Sequence, residues 1–349
     1  MSKELEVKLM TGELSRKIQD ADPLGADHFM IEVLPVLNNS GKVGEILQVS
    51  IGIIPSTEEI EKMDYHQAQA GLRDLGIIAS SIQRHGVDFG DVPSLEQSMV
   101  EIGLSLNETP RETVFHYGPW NPIGERTRTF TALDEERAFI QSFREGMSGL
   151  DESINNLLYL QSKPVHDLNF GHTLDLAKEG FQKMVNAMVE VRRKITPEFF
   201  TFEMRPYFPV LKLNGQEYQA PGGAQMPVLL VDRILWGVDQ KDETYQRYYA
   251  ENLKYLPKAY KNIDQAIGSE SVVTRLLRES EGVVSSSVKE STSSLLNSLL
   301  MFRYPHLKTA KENFKKREDS SKGSGGYTTT ILEKLINLTS KSKKRIDTK

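Results

Sequence analysis

The chain has 349 residues, 38% of them hydrophobic and 26% charged, with no cysteine and a net charge of −5 at pH 7. That is ordinary globular composition; the acidic balance argues against nucleic acid as a partner, and the missing thiols exclude disulfides, zinc–thiolate sites, iron–sulfur clusters and a thiolate-bound haem. The start, "MSKELEVKLM", lacks the apolar core of a signal peptide, and the longest apolar run, "MPVLLVDRILWGV", is broken by Asp232 and Arg233, so a cytoplasmic protein without a membrane span is expected.

Residues 44–56, "GEILQVSIGIIPS", fit either a strand or a short buried helix. "TEEIEKMDYHQAQAGLRDLGIIASSIQRHG" then predicts a helix from a cap-like Thr57 to Gly86. Residues 107–131, "NETPRETVFHYGPWNPIGERTRTFT", are dense in proline and glycine and hold one of the two tryptophans. They predict a loop, long enough to be functional. "DEERAFIQSFREGMSGLDESINNLLYLQ" resumes helix.

The clearest pattern spans Thr173 to Ile195, where Leu174, Ala177, Phe181, Met184, Met188, Val191 and Ile195 form a seam at three- and four-residue steps. Thr196 and Pro197 end that helix and start another, as N-cap and first helical residue. "MPVLLVDRILWG" repeats the proline start and stops at Gly237. A helix from about residue 270 precedes one whose inner face carries Leu295, Leu296, Leu299, Phe302, His306 and Ala310. Pro305 interrupts that face, removing a backbone donor at a cost of about 3 kcal/mol in a helix interior. Residues 314–326 are expected to be a mobile loop, and the basic tail 341–349 to fray. The fold class expected is all-α. An N-terminal portion, 1–131, of mixed helix and loop packs on a helical body, 132–349.

Five features bear on chemistry. His306, inward after Pro305, reads either as a satisfied core histidine or as the single imidazole a haem iron needs. Arg303, one turn earlier, is either a solvated charge or a fork for a carboxylate. Asp232 lies on an apolar stripe and requires a cation nearby, as in a structural ion pair. "GSGGY", 323–327, matches no nucleotide signature and is either a linker or a loop that approaches a ligand closely. In "FFTFEMRPYF", 199–208, Phe202 lies three residues before Arg205, so ring and guanidinium can share a helix face. That suits an aromatic amino acid, although core aromatics beside a surface arginine read the same way. No catalytic acid, base or nucleophile is assigned.

In order, "FFTFEMRPYF", "GGAQMPVLLVDRILWG", "FRYPHLKTA" and "KGSGGYTTT" resemble the indoleamine and tryptophan 2,3-dioxygenase superfamily over about 150 residues. The resemblance implies an all-α fold holding haem b through one histidine. It places the family's arginine at Arg205, its glycine-rich helix entry at Gly222, Gly223, Ala224 and Gln225, its aspartate at Asp232, its Arg-x-x-His at Arg303 and His306, and its loop at Gly323 to Gly326. "GGAQM" lacks the dioxygenases' Ser-Ala-Gly insert, and Tyr327 replaces a threonine. With "HYGPWNPIGERTRTFT", these departures look like the branch containing monodechloroaminopyrrolnitrin synthase, which rearranges a chlorinated tryptophan with loss of its carboxylate.

The resemblance implies that His306 ligates the iron, with Arg303, Asp232, Gly222, Gly223 and Ala224 around the haem. Arg205, Phe202, Gly325, Gly326 and Tyr327 are then the substrate contacts. The expected activity is oxidative ring rearrangement of tryptophan or a substituted tryptophan, with oxygen or peroxide as oxidant, by a monomer or homodimer. A tryptophan 2,3-dioxygenase giving N-formylkynurenine and a non-enzymatic haem-binding sensor are the alternatives.

Overall fold

Helix caps and glycine contacts set the architecture. The computed structural model describes residues 11–279, 286–316 and 322–348. The N-terminal part contains α1 (Glu13–Asp20), α2 (Leu34–Ser40), α3 (Val43–Ile51), α4 (Thr57–Lys62), α5 (Tyr65–Arg84), α6 (Pro93–Leu106) and the one-turn α7 (Val114–Tyr117). The body contains α8 (Asp134–Ser148), α9 (Leu150–Gln161), α10 (Phe170–Lys194), α11 (Val228–Asp232), α12 (Glu243–Leu253), α13 (Lys258–Ala266), α14 (Val272–Glu279), α15 (Ser286–Lys315) and α16 (Thr329–Asp347). Among the described residues the only strands are β1 (Leu211–Leu213) and β2 (Gln216–Tyr218), an antiparallel hairpin turned by Asn214 and Gly215, both at positive φ. The fold is all-α. No described helix is long and apolar enough to cross a membrane.

The open 44–56 segment contains the helix α3, with Ile46 and Ser50 on its buried side. The helix expected over 57–86 is two helices. Ser56, not Thr57, caps the first, and a capping box between Asp64 and Gln67 starts the second. The helix predicted after residue 132 also divides, at Gly149. A Cβ there would lie 2.0 Å from the Gly180 carbonyl oxygen, so α10 crosses the α8–α9 junction backbone to backbone. From that crossing α10 packs against α8, α9 and α15, and α16 lies along α15. The basic tail is helical as far as Asp347, where α16 ends, and Leu335, Leu338 and Ile346 lie on its buried stripe. Lys344 and Arg345 in its last turn also suit the helix dipole. The mobility expected over 314–326 falls partly on 317–321, which lie outside the described residues.

The 107–131 segment is not a solvent loop. Trp120, Arg111, Asn121 and Arg128 have no exposed surface. Arg73 donates to Asp74 at 2.7 Å, and Arg128 joins Asp74 at 3.2 Å and also reaches Asp27. Burial alone would raise the Asp74 pKa, but the two arginines hold it below the ordinary value. Side chains thus pair the charges and carbonyls that an irregular buried segment brings inside. His116 Nδ1 accepts from the Thr113 amide at 3.0 Å, and Nε2 lies 2.9 Å from Gln69 Oε1. Burial, aided by Arg73, pulls its pKa down to about 3, against the opposing charge of Asp74.

His116 is therefore neutral when folded, and below its ordinary pKa of 6.5 only the unfolded chain takes up the proton. Its contribution is full above pH 6.5 and falls with pH toward the folded value, by about 2 kcal/mol between pH 7 and 5. Urea unfolding of His116→Gln at pH 7 and 5 is expected to show a pH-dependent loss smaller by about that amount. An unchanged pH dependence would contradict the neutral buried state.

Candidate active site

A cavity of about 270 Å³ lies among α8, α10, the 199–208 segment, the 222–225 turn, α15 and the start of α16. The α10 seam supplies Met184, Met188 and Val191 as an apolar side. α15 presents His306 to the same cavity. Pro305 lies inside this helix, and the half-buried His306 ring borders the cavity, with its Nδ1 sealed and without a hydrogen-bond partner. Across the cavity wall is Gly223, where a Cβ would stand 3.0 Å from the imidazole Cε1. Any larger residue would press on the ring. Burial and the Arg303 charge lower the His306 pKa to about 4. It is neutral at pH 7, the form that ligates metals.

Arg303, one turn before His306, is 2% exposed; it pairs with Asp232 and donates to Thr339 Oγ1 at 2.7 Å. The solvated-charge reading of Arg303 is thereby excluded. Burial raises the Asp232 pKa, while Arg303 and the Trp236 indole oppose the rise. Asp232 reaches this place at the end of α11, immediately before a π-helical turn, Arg233–Gly237.

The glycine-rich segments meet directly. A Cβ on Gly222 would come within 2.7 Å of the Gly325 nitrogen and 2.8 Å of Ser324 Oγ, and one on Gly325 within 3.2 Å of the Ala224 Cβ. Loop 323–327 is closed by the Gly323 amide on the Tyr327 carbonyl at 2.8 Å and by the Gly326 amide on the Gly323 carbonyl at 3.0 Å. Gly326, with φ +83°, makes that turn and packs against Gln219, off the cavity wall. Tyr327 does line the cavity. Its hydroxyl donates to Glu251 at 2.5 Å and accepts from Asn252 at 2.9 Å, so α12 fixes the ring.

Arg205 lines the cavity and donates to the Phe208 carbonyl at 2.5 Å and the Gly323 carbonyl at 3.5 Å. Phe202 is not beside it. It is 54% exposed and off the wall, because Phe199–Met204 is a π-helix. The wider i→i+5 turn separates residues three apart that an α-helix would place on one face. Phe200 and Thr201 face the cavity instead.

Val114, Tyr117, Phe139 and Phe143, none of them expected at the site from the sequence, also line the cavity. Density in aromatics across 107–131 was the one sequence signal for Tyr117. Tyr117 is held in place by donating to Glu136 at 2.9 Å. That carboxylate also accepts from the Phe130 and Thr131 amides at 2.9 and 2.7 Å. No group of three or more histidine, aspartate or glutamate side chains that could hold a free metal ion occurs among the described residues. The family model described as monodechloroaminopyrrolnitrin synthase PrnB matches residues 47–349.

Proposed function

The chain belongs to the monodechloroaminopyrrolnitrin synthase PrnB family, within the indoleamine and tryptophan 2,3-dioxygenase-like haem superfamily, and we propose that it uses haem b to rearrange the indole ring of tryptophan or a substituted tryptophan. Members are haem-dependent oxygenases. Haem, when bound, supplies the redox iron that activates the oxidant, oxygen or peroxide. The observation that carries the assignment of the site is His306, neutral at pH 7 and unpaired at Nδ1, facing a glycine across a cavity wall.

On this reading His306 ligates the iron. Gly222, Gly223 and Ala224 border the haem: Gly222 makes room for Ser324 and Gly325, and Gly223 for the His306 ring. Arg303, oriented by Asp232 and Thr339, supports a propionate. Tyr117, Phe139, Phe143 and Phe200 accept the indole, and Arg205 attracts the substrate carboxylate. Loop 323–327 shields the site from water through Gly325 and Tyr327.

The reaction outcome follows from the walls. "GGAQM" is short and Tyr327 is anchored, so the ring sits differently from one bordered by a longer insert and a threonine. A misplacement near 1 Å costs on the order of a hundredfold in rate. Reduced, haem-loaded protein given oxygen and L-tryptophan or 7-chlorotryptophan is expected to yield a rearranged, decarboxylated main product by mass spectrometry. Addition of two oxygen atoms with the carboxylate retained would identify a dioxygenase instead, and haem binding without product a sensor.

A further inference from the structure

One ring of the cavity wall rests on a glycine. Phe143 is half-buried and lines the cavity. A Cβ on Gly118 would stand 2.6 Å from its Cδ1 and 2.9 Å from its Cε1. Gly118 is not on the wall, so it backs the ring from outside the cavity. Phe139, one turn earlier on α8, stacks on Phe143 with ring centroids 6.2 Å apart and planes at 6°. Phe139 in turn meets Phe200 at 5.9 Å and Tyr117 at 6.3 Å, so these wall residues form one continuous aromatic cluster.

The backbone behind Phe143 is pinned. The Gly118 amide donates to the Val114 carbonyl at 3.0 Å, and the Gly118 carbonyl accepts from the Asn121 amide at 3.1 Å. Arg144, the residue after Phe143, donates to the Gly118 carbonyl at 3.4 Å and to the Asn121 and Pro122 carbonyls at 2.8 and 3.0 Å. α8 thus holds residues 118–122 against itself, and a side chain at 118 is not met by retreat of that segment. The end of the Phe143 side chain has to give instead. Carbon atoms in contact lie about 3.5–4.0 Å apart, so the ring would move by about 1 Å, away from Gly118 and toward the cavity. One methylene of space changes the selectivity of an apolar pocket by about 10- to 200-fold.

We propose that Gly118, acting through Phe143, sets the size of the ring that the cavity admits: the missing Cβ makes the room for a substituent on the indole. This rests on the tryptophan-like substrate assigned above. Gly118 touches no ligand and is a positioning residue.

Calorimetric titration of the haem-loaded full chain tests this, with L-tryptophan and with tryptophans carrying one chlorine at each position of the benzene ring in turn. Wild type is expected to bind tryptophan and at least one chloro derivative. Gly118→Ala is expected to weaken that derivative about tenfold more than tryptophan. Gly118→Ala/Phe143→Leu, whose shorter side chain leaves room for the new Cβ, should return the ratio of the two affinities to the wild-type value. If Gly118→Ala does not fold, Phe143→Trp narrows the same place with the glycine kept, and it should shift the ratio the same way. A packing role alone would lower Tm and weaken every ligand alike. That result, an unchanged ratio, or a wild type that binds tryptophan and no chloro derivative overturns the size role and leaves the substrate assignment standing. Wild type that binds neither tryptophan nor any derivative overturns both.

Discussion

His306→Ala is expected to give a helical protein that takes up no stoichiometric haem. A haem iron with one protein ligand depends on that imidazole, and the sequence has no cysteine to replace it. Among the described histidines none other lines the cavity, and His116 is engaged on both nitrogens with Thr113 and Gln69. Far-ultraviolet circular dichroism should be unchanged, since the ring makes no hydrogen bond whose loss would unfold α15. Reconstitution followed at the Soret band is the measurement. A histidine-ligated spectrum of wild-type intensity in the alanine variant would remove His306 from the role.

Arg303→Met is expected to cost about 3–5 kcal/mol in urea unfolding, because it leaves Asp232 buried at 1% exposure without a cation. Thr339 also loses its charged donor. Removing both charges in Asp232→Leu/Arg303→Met should recover much of that loss, since no uncompensated carboxylate remains. The recovery separates a desolvation cost from lost packing. A single-variant cost below about 1 kcal/mol would mean the pair is solvated, contrary to its burial. The double variant should fold yet bind haem more weakly than wild type, as the proposed propionate contact is gone.

Much of this site was legible along the chain. The seam on α10 predicted an inward face, and Met184, Met188 and Val191 on it line the cavity. The Arg303–His306 spacing put both residues on one side of α15, and Asp232 on an apolar stripe required the cation that Arg303 supplies. The glycines of 323–327 read either as a linker or as a loop approaching a ligand closely, and in the structure Gly325 meets the Gly222–Ala224 turn. Other features were illegible for local reasons. Phe202 was assigned to the wall by α-helical spacing, and a π-helical turn directs it to solvent. Helix breaks at Asp64 and Gly149 arise from a capping box and from a glycine crossing.

The sequence by itself determined the all-α class, most helix starts and the identity of the side chains on α15, because hydrophobic period and capping chemistry act over a few residues. Only the tertiary structure decided that 107–131 is buried, since its arginines are satisfied by Asp27, Asp74 and backbone carbonyls far along the chain. It also decided that the Tyr327 hydroxyl is engaged by Glu251 and Asn252. Whether a polar atom is paired depends on neighbours brought from distant segments, and no local pattern of residues encodes that.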